Sequence, residues 1–171
     1  MKTPWNFHLS PVVEIGLTLI VLLTLPAFSL AQGLIKDPFD GAVQWNVRLA
    51  DPQANGGVLR VELEGRIREG LHVFSAIPPE QDANLPTIIE LDPALKGIKA
   101  EGKLDEKGKM ITEFDDVFGT KVRYYKNDVL FVQTFSVKGK GGRLKGALVY
   151  QVCDEEGLCA SQRQPFDFKL P

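Results

Sequence analysis

Cys153 and Cys159 are the only cysteines of the 171-residue chain, and they stand close together in the segment Tyr150-Gln-Val-Cys-Asp-Glu-Glu-Gly-Leu-Cys159. The first cysteine ends a run with the alternation of a strand, and residues 154–158 have the composition of a hairpin loop. Directly opposed residues of antiparallel strands lie about 4.5 to 5.5 Å apart at Cα, a span that a disulfide accepts. The pair can close, and the chemistry open to it is thiol/disulfide exchange.

A bridge this local is a weak staple. Loop-closure entropy is worth about 2.4 kcal/mol for a loop of roughly seven residues, against about 4.7 kcal/mol for one of a hundred. The small value favours a working disulfide, with a purely structural hairpin bridge in a non-catalytic binding or adaptor domain as the alternative. Asp154, Glu155 and Glu156 disfavour thiolate formation. The pair therefore suits a relay, in which a partner's more acidic thiol attacks the disulfide and the reduced pair acts on a docked, oxidised client.

Other chemistry is thinly provided. His8 belongs to the N-terminal leader, which leaves His72 and the two cysteines as a meagre ligand set; neither a metal nor a cofactor is expected. There is no Gly-x-Ser-x-Gly elbow for a nucleophilic serine. Lys138-Gly-Lys-Gly-Gly-Arg143 is followed by no helical pattern, so it reads as a flexible hairpin connection and not as a phosphate loop. Asp115-Asp116 alone has the character of a solvated loop. With a net charge of -2 and scattered basic residues, nucleic acid is not expected as a partner.

The compartment decides what two thiols become. Lys2, an apolar run over 15–25, Pro26 and Ser29-Leu-Ala31 have the layout of a signal peptide over residues 1–31, with the mature chain beginning at Gln32; a retained N-terminal anchor is the alternative. The expected location is periplasmic or secreted, where a disulfide persists.

Strands must position the pair. Alternation at Val43, Trp45, Val47 and Leu49 and again at Leu59, Val61 and Leu63, around the turn-rich 51–57, predicts a hairpin. Further strands are expected at Leu71–Ser75, Thr87–Leu91, Ile98–Gly102, Lys121–Tyr125, Val129–Val137, Leu144–Cys153 and Phe166–Leu170, with a possible helical turn within Asp105–Phe114. Many short strands separated by turns predict an all-β chain folded as an immunoglobulin-like antiparallel β-sandwich, one domain over 32–171 and a monomer.

The Tyr150-Gln151-x-Cys153-x5-Cys159 pattern resembles the signature of the N-terminal periplasmic domain of the thiol:disulfide interchange protein DsbD family, and the resemblance covers most of the mature chain. It implies an immunoglobulin-like fold with both redox cysteines, Cys153 and Cys159, on one hairpin. It also implies exchange with thioredoxin-like proteins and a membrane electron conduit on one side. On the other side stand periplasmic disulfide isomerases or cytochrome c maturation proteins. Because this sequence ends at Pro171, the conduit is expected to be a separate polypeptide. Gly70-Leu-His-Val-Phe-Ser75 resembles a strand beside the cysteines, which puts His72 and Phe74 among the active-site aromatics, while Leu85-Pro-Thr87 resembles the lead-in to the next strand. Asp115-Asp116-Val117-Phe118-Gly119 falls where the family carries a cap loop; the cap aromatic aligns with Val117, and Phe118 beside it is the candidate shield. Gln151 belongs to the signature itself. The family's Pro-Pro after the second cysteine is replaced here by Ala160-Ser161.

Overall fold

The computed structural model describes residues 37–50, 57–79, 85–116, 118–139 and 141–170. The expected signal peptide, the turn at 51–56 and Val117 lie outside the described residues. The described elements are eight strands: β1 Val43–Ala50, β2 Val58–Ile67, β3 Leu71–Phe74, β4 Ile88–Leu91, β5 Ile98–Asp115, β6 Thr120–Val137, β7 Arg143–Asp154 and β8 Cys159–Lys169. All pairings are antiparallel, with hydrogen-bonded order β1-β2-β6-β3-β7-β4, β5 on β6 and β8 on β7.

The alternation that predicts the first hairpin is the one the structure uses. Leu59, Val61 and Leu63 of β2 point inward, as do Val129, Phe131 and Phe135 of β6. They pack in one cluster with Leu144, Leu148, Tyr150 and Val152 of β7 and Phe166 of β8. The eight described strands, hydrogen-bonded into one continuous sheet, thus close over a shared core, as expected of an immunoglobulin-like sandwich. Trp45 ties them together: its indole N–H donates to the Tyr150 hydroxyl at 3.1 Å, and its ring lies 5.2 Å from that of Tyr150. The ring rests on Gly65, its cross-strand partner, where a Cβ would stand 2.6 Å from the indole.

β6 is one strand with a corner in it. Residues 128–136 pair with β2, whereas Tyr124 and Tyr125 pair with β3. On its β5 side, Lys126-Asn127-Asp128 stands opposite Lys109 alone, and Asn127 takes a left-handed φ of 71°. Such a bulge bends a strand and raises its twist, which lets β6 pass from one layer toward the other.

Five expectations need correction. The segment expected to hold a helical turn, Asp105–Phe114, lies within β5, which runs from Ile98 and not just to Gly102. Its mostly solvent-facing side chains give it little apolar alternation to read. Lys121–Tyr125 and Val129–Val137 are one strand, and β8 begins at Cys159, seven residues before the expected Phe166. Finally, the expected hairpin connection at 138–143 is not one: among the described residues β6 and β7 are not paired with each other, β3 lying between them, and Gly139, Gly141 and Gly142 all take positive φ.

Candidate functional site

β3 lies between β6 and β7, and both faces of this part of the sheet are covered. Val73, Tyr125 and Val152 point into the main core. Their sequence neighbours Phe74, Tyr124 and Cys153 point the other way and, with Val122, form a second buried cluster against Ile111, Phe118 and Cys159. This follows from the two-residue period of strands, since adjacent side chains take opposite faces. The disulfide therefore sits on the outer face of the sheet, apart from the core.

Cys153 and Cys159 are bonded to each other, with Cα atoms 4.1 Å apart, and are direct partners in the β7–β8 ladder. The next pair is held by the Asp154 N–H donating to the Leu158 carbonyl at 3.0 Å. Hydrogen-bonded and non-hydrogen-bonded pairs alternate along an antiparallel ladder, so the cysteines occupy a non-hydrogen-bonded pair, where side chains approach most closely. Asp154 builds the loop: its Oδ1 accepts from the N–H groups of Glu156 at 3.0 Å and Leu158 at 2.8 Å, and Gly157 supplies a φ of 89°. A Cβ at this φ is strained, so glycine suits the turn.

An open cleft of about 390 Å³ lies over the bridge, lined among others by His72, Phe74, Phe118, Tyr124, Cys153 and Cys159. Glu113, Asp115, Lys126, Asp154, Glu155 and Glu156 add charge to its walls. Cys153 is only 1% exposed, whereas Cys159 is partly exposed. The Tyr124 hydroxyl donates to Glu113 at 2.8 Å, and Lys126 pairs with Glu155 at 3.2 Å. Burial, then the hydrogen bond to Glu113, pushes the Tyr124 phenol up to about 12.

The sequence-derived site residues fall into three groups. His72 and Phe74 share the outer face as expected, their rings 5.3 Å apart and edge to face, with the His72 ring 4.6 Å from that of Tyr124. His72 is the cross-strand partner of Cys153. Phe118 and Asp115 also reach the cleft, and Asp115 Oδ1 accepts the Phe118 N–H at 3.1 Å, fixing the turn that carries the ring. Asp116 is exposed and does not line the cleft, and Gly119 serves the turn, with φ 65° and an N–H donated to the Asp115 carbonyl at 2.8 Å. Gln151 stands away from the cleft and accepts the Leu85 N–H at 3.0 Å, tethering the approach to β4.

Tyr124, Glu113, Lys126 and Val122 were not anticipated. Consecutive aromatics at Tyr124-Tyr125 in a strand were the available signal, because one of the two must face away from the core. Glu113 could be found only through the β5–β6 register, which pairs it with Val122 and leaves it two residues from Ile111, the partner of Tyr124.

The family model for the N-terminal region of the thiol:disulfide interchange protein DsbD matches residues 42–171. Among solved structures, the chain is similar to the Neisseria meningitidis DsbD N-terminal domain in the reduced form, with 21% identity and a TM-score of 0.53, covering 78% of this chain and 90% of that one. It is also similar to the N-terminal periplasmic domain of ScsB from Proteus mirabilis, with 14% identity and a TM-score of 0.54, covering 80% of this chain and 49% of that one. The chain thus spans about half the length of the ScsB structure. No curated protein sequence matches. A disulfide on the outer face of an immunoglobulin-like sandwich and a family match from residue 42 onward agree: the chain belongs to the family of DsbD N-terminal thiol:disulfide interchange domains.

Proposed function

We propose that this domain relays reducing equivalents through Cys153 and Cys159, taking them from a thioredoxin-like protein or a membrane electron conduit and passing them to oxidised client proteins. The observation that carries the reading is the unequal exposure of two bonded sulfurs at one cleft, Cys153 being 1% exposed and Cys159 partly exposed. An incoming thiolate meets Cys159 first. Its attack forms a bond to Cys159 Sγ and breaks the bond to Cys153, which leaves as a thiolate and takes up a proton; the partner's second thiol then frees Cys159 and carries away the disulfide. In the reverse direction the dithiol reduces a client.

Phe118 supports the role of a shield, because it lines the cleft on a turn pinned by Asp115. We place the mature domain at 32–171 in the periplasm after removal of residues 1–31; the ScsB relative is a periplasmic domain. Disulfide isomerases and cytochrome c maturation proteins are the proposed clients. The test is a redox titration against thiol buffers, with trapping of a mixed disulfide on Cys159 in the Cys153→Ser variant. A potential between about -270 and -120 mV is expected, the span of exchange proteins. A potential below about -300 mV with no trapped adduct would overturn the proposal in favour of a structural bridge in a binding domain.

A further inference from the structure

We infer that His72 is the proton acceptor for Cys153 in the step that closes the disulfide and releases the reduced client. The inference rests on the exchange reading above and concerns its second half. When Cys159 is joined to a client, Cys153 must attack Cys159 Sγ. The Cys153–Cys159 bond forms, the Cys159–client bond breaks, and the client sulfur leaves with the electron pair. The Cys153 proton must go elsewhere as this happens, because the thiolate and not the thiol is the nucleophile. Transferred by way of the imidazole to the departing sulfur, it leaves the balance complete: one dithiol oxidised, one client disulfide reduced, no proton gained or lost.

The placement is specific. His72 is the direct cross-strand partner of Cys153, and Cys159 is its partner on the other side, so the three side chains form one row on one face of the sheet. Directly opposed Cβ atoms lie about 4.5 to 5.5 Å apart, which puts an imidazole within reach of the neighbouring sulfur. Cys153 is nearly inaccessible to water, so a base supplied by the protein matters more to it than to Cys159. The imidazole is held by ring contacts with Phe74 on β3 and Tyr124 on β6.

The charges around it set its resting state. Burial, followed by Lys126 on β6, lowers the His72 pKa, against opposing pulls from Glu113 and Asp115 on β5 and Asp154 on β7. Glu155 and Glu156 stand on the loop at the same cleft. The imidazole is therefore neutral at pH 7 and free to accept.

The reduced protein treated with the aromatic disulfide 5,5′-dithiobis(2-nitrobenzoate) separates the two halves of the cycle. Attack by the first cysteine releases one thionitrobenzoate in a bimolecular phase, and closure of the Cys153–Cys159 bond releases a second in a unimolecular phase. In His72→Phe, which keeps a ring against Phe74 and Tyr124, the second phase slows about a hundredfold at pH 7, the low end of general-base effects, while the first changes less than about threefold. The pH profile is the signature: the wild-type second phase falls below the pKa of His72 and levels off above it, whereas the variant rises tenfold per pH unit throughout. His72→Gln gives the same profile and guards against a packing effect of the ring. A second phase within about twofold of wild type and an unchanged profile in both variants would overturn the inference alone. Loss of the second phase in the wild-type protein would overturn the exchange reading with it.

Discussion

Tyr124 and Glu113 are joined across the β5–β6 hairpin by a 2.8 Å hydrogen bond from the phenol to the carboxylate, at the wall of the disulfide cleft. Burial, and then this contact, hold the phenol protonated far into the alkaline range. Tyr124 and Tyr125 are both pushed up to about 12, and Tyr150, the remaining tyrosine, is raised as well. An ultraviolet titration of the folded protein should show no phenolate transition near pH 10. Because these folded values exceed the unfolded one, their contribution to stability is whole below about pH 10 and is lost as pH rises toward about 12. Glu113→Gln should move the Tyr124 transition downward; an unmoved transition would detach the carboxylate from the phenol.

Acid stability should depend on His72. Its folded pKa lies below the ordinary imidazole value of 6.5, chiefly through burial. The unfolded chain therefore binds the proton more readily, and this contribution is complete above about pH 6.5 and declines as pH falls toward the folded value. Urea midpoints measured between pH 5 and 8 should show a shallower acid decline in His72→Phe than in the wild type. Parallel curves would remove His72 as the source.

Thr87 is 1% exposed and donates its hydroxyl to the Phe74 carbonyl at 2.5 Å, while its N–H donates to the Ser75 carbonyl at 3.0 Å. Thr87→Val keeps the shape and removes the donor. A loss of about 1–3 kcal/mol is expected from urea denaturation with an unchanged slope. The loss also loosens the backbone behind the Phe74 ring.

Removal of the Phe118 ring should open the sulfurs to small reagents. Phe118→Ala is expected to speed reduction of the disulfide by dithiothreitol about tenfold, with stability close to wild type, since the ring belongs to the small outer cluster and not to the main core. Equal rates would place the shield elsewhere.

Reduction itself should cost little. A bridge across residues separated by six in sequence closes a small loop, and about 2.4 kcal/mol is the entropic estimate. The reduced protein should stay folded, with a modest fall in its denaturation midpoint. Global unfolding on reduction would show that the bridge is a staple.

Much of this organisation is legible in the residues. Period-two apolar patterns mark β1, β2, β7 and the second half of β6, because those strands bury one face in the core. β5 is hidden for the opposite reason: it buries little, and its charged residues give no face to read. The polar Lys126-Asn127-Asp128 looks like the end of a strand, yet the ladder continues on both sides of the bulge. At the site, the cysteines, His72, Phe74, Asp115 and Phe118 could be named from local pattern and resemblance. Tyr124 carried only the hint of two consecutive aromatics, and Glu113 and Lys126 carried none, since all three meet the cysteines only through the register of long-range pairs.

β3, β6 and β7 carry the core on one face and the sulfurs on the other, and the β7–β8 ladder continues unbroken from Cys153 and Cys159 back to Arg143 and Lys169. Breaking the sulfur–sulfur bond thus frees a short loop tip and leaves the foundation beneath it bolted in place. The two oxidation states can share one scaffold, so each turnover asks for local rearrangement only, and the energy separating them is left to the sulfur chemistry instead of being spent on refolding.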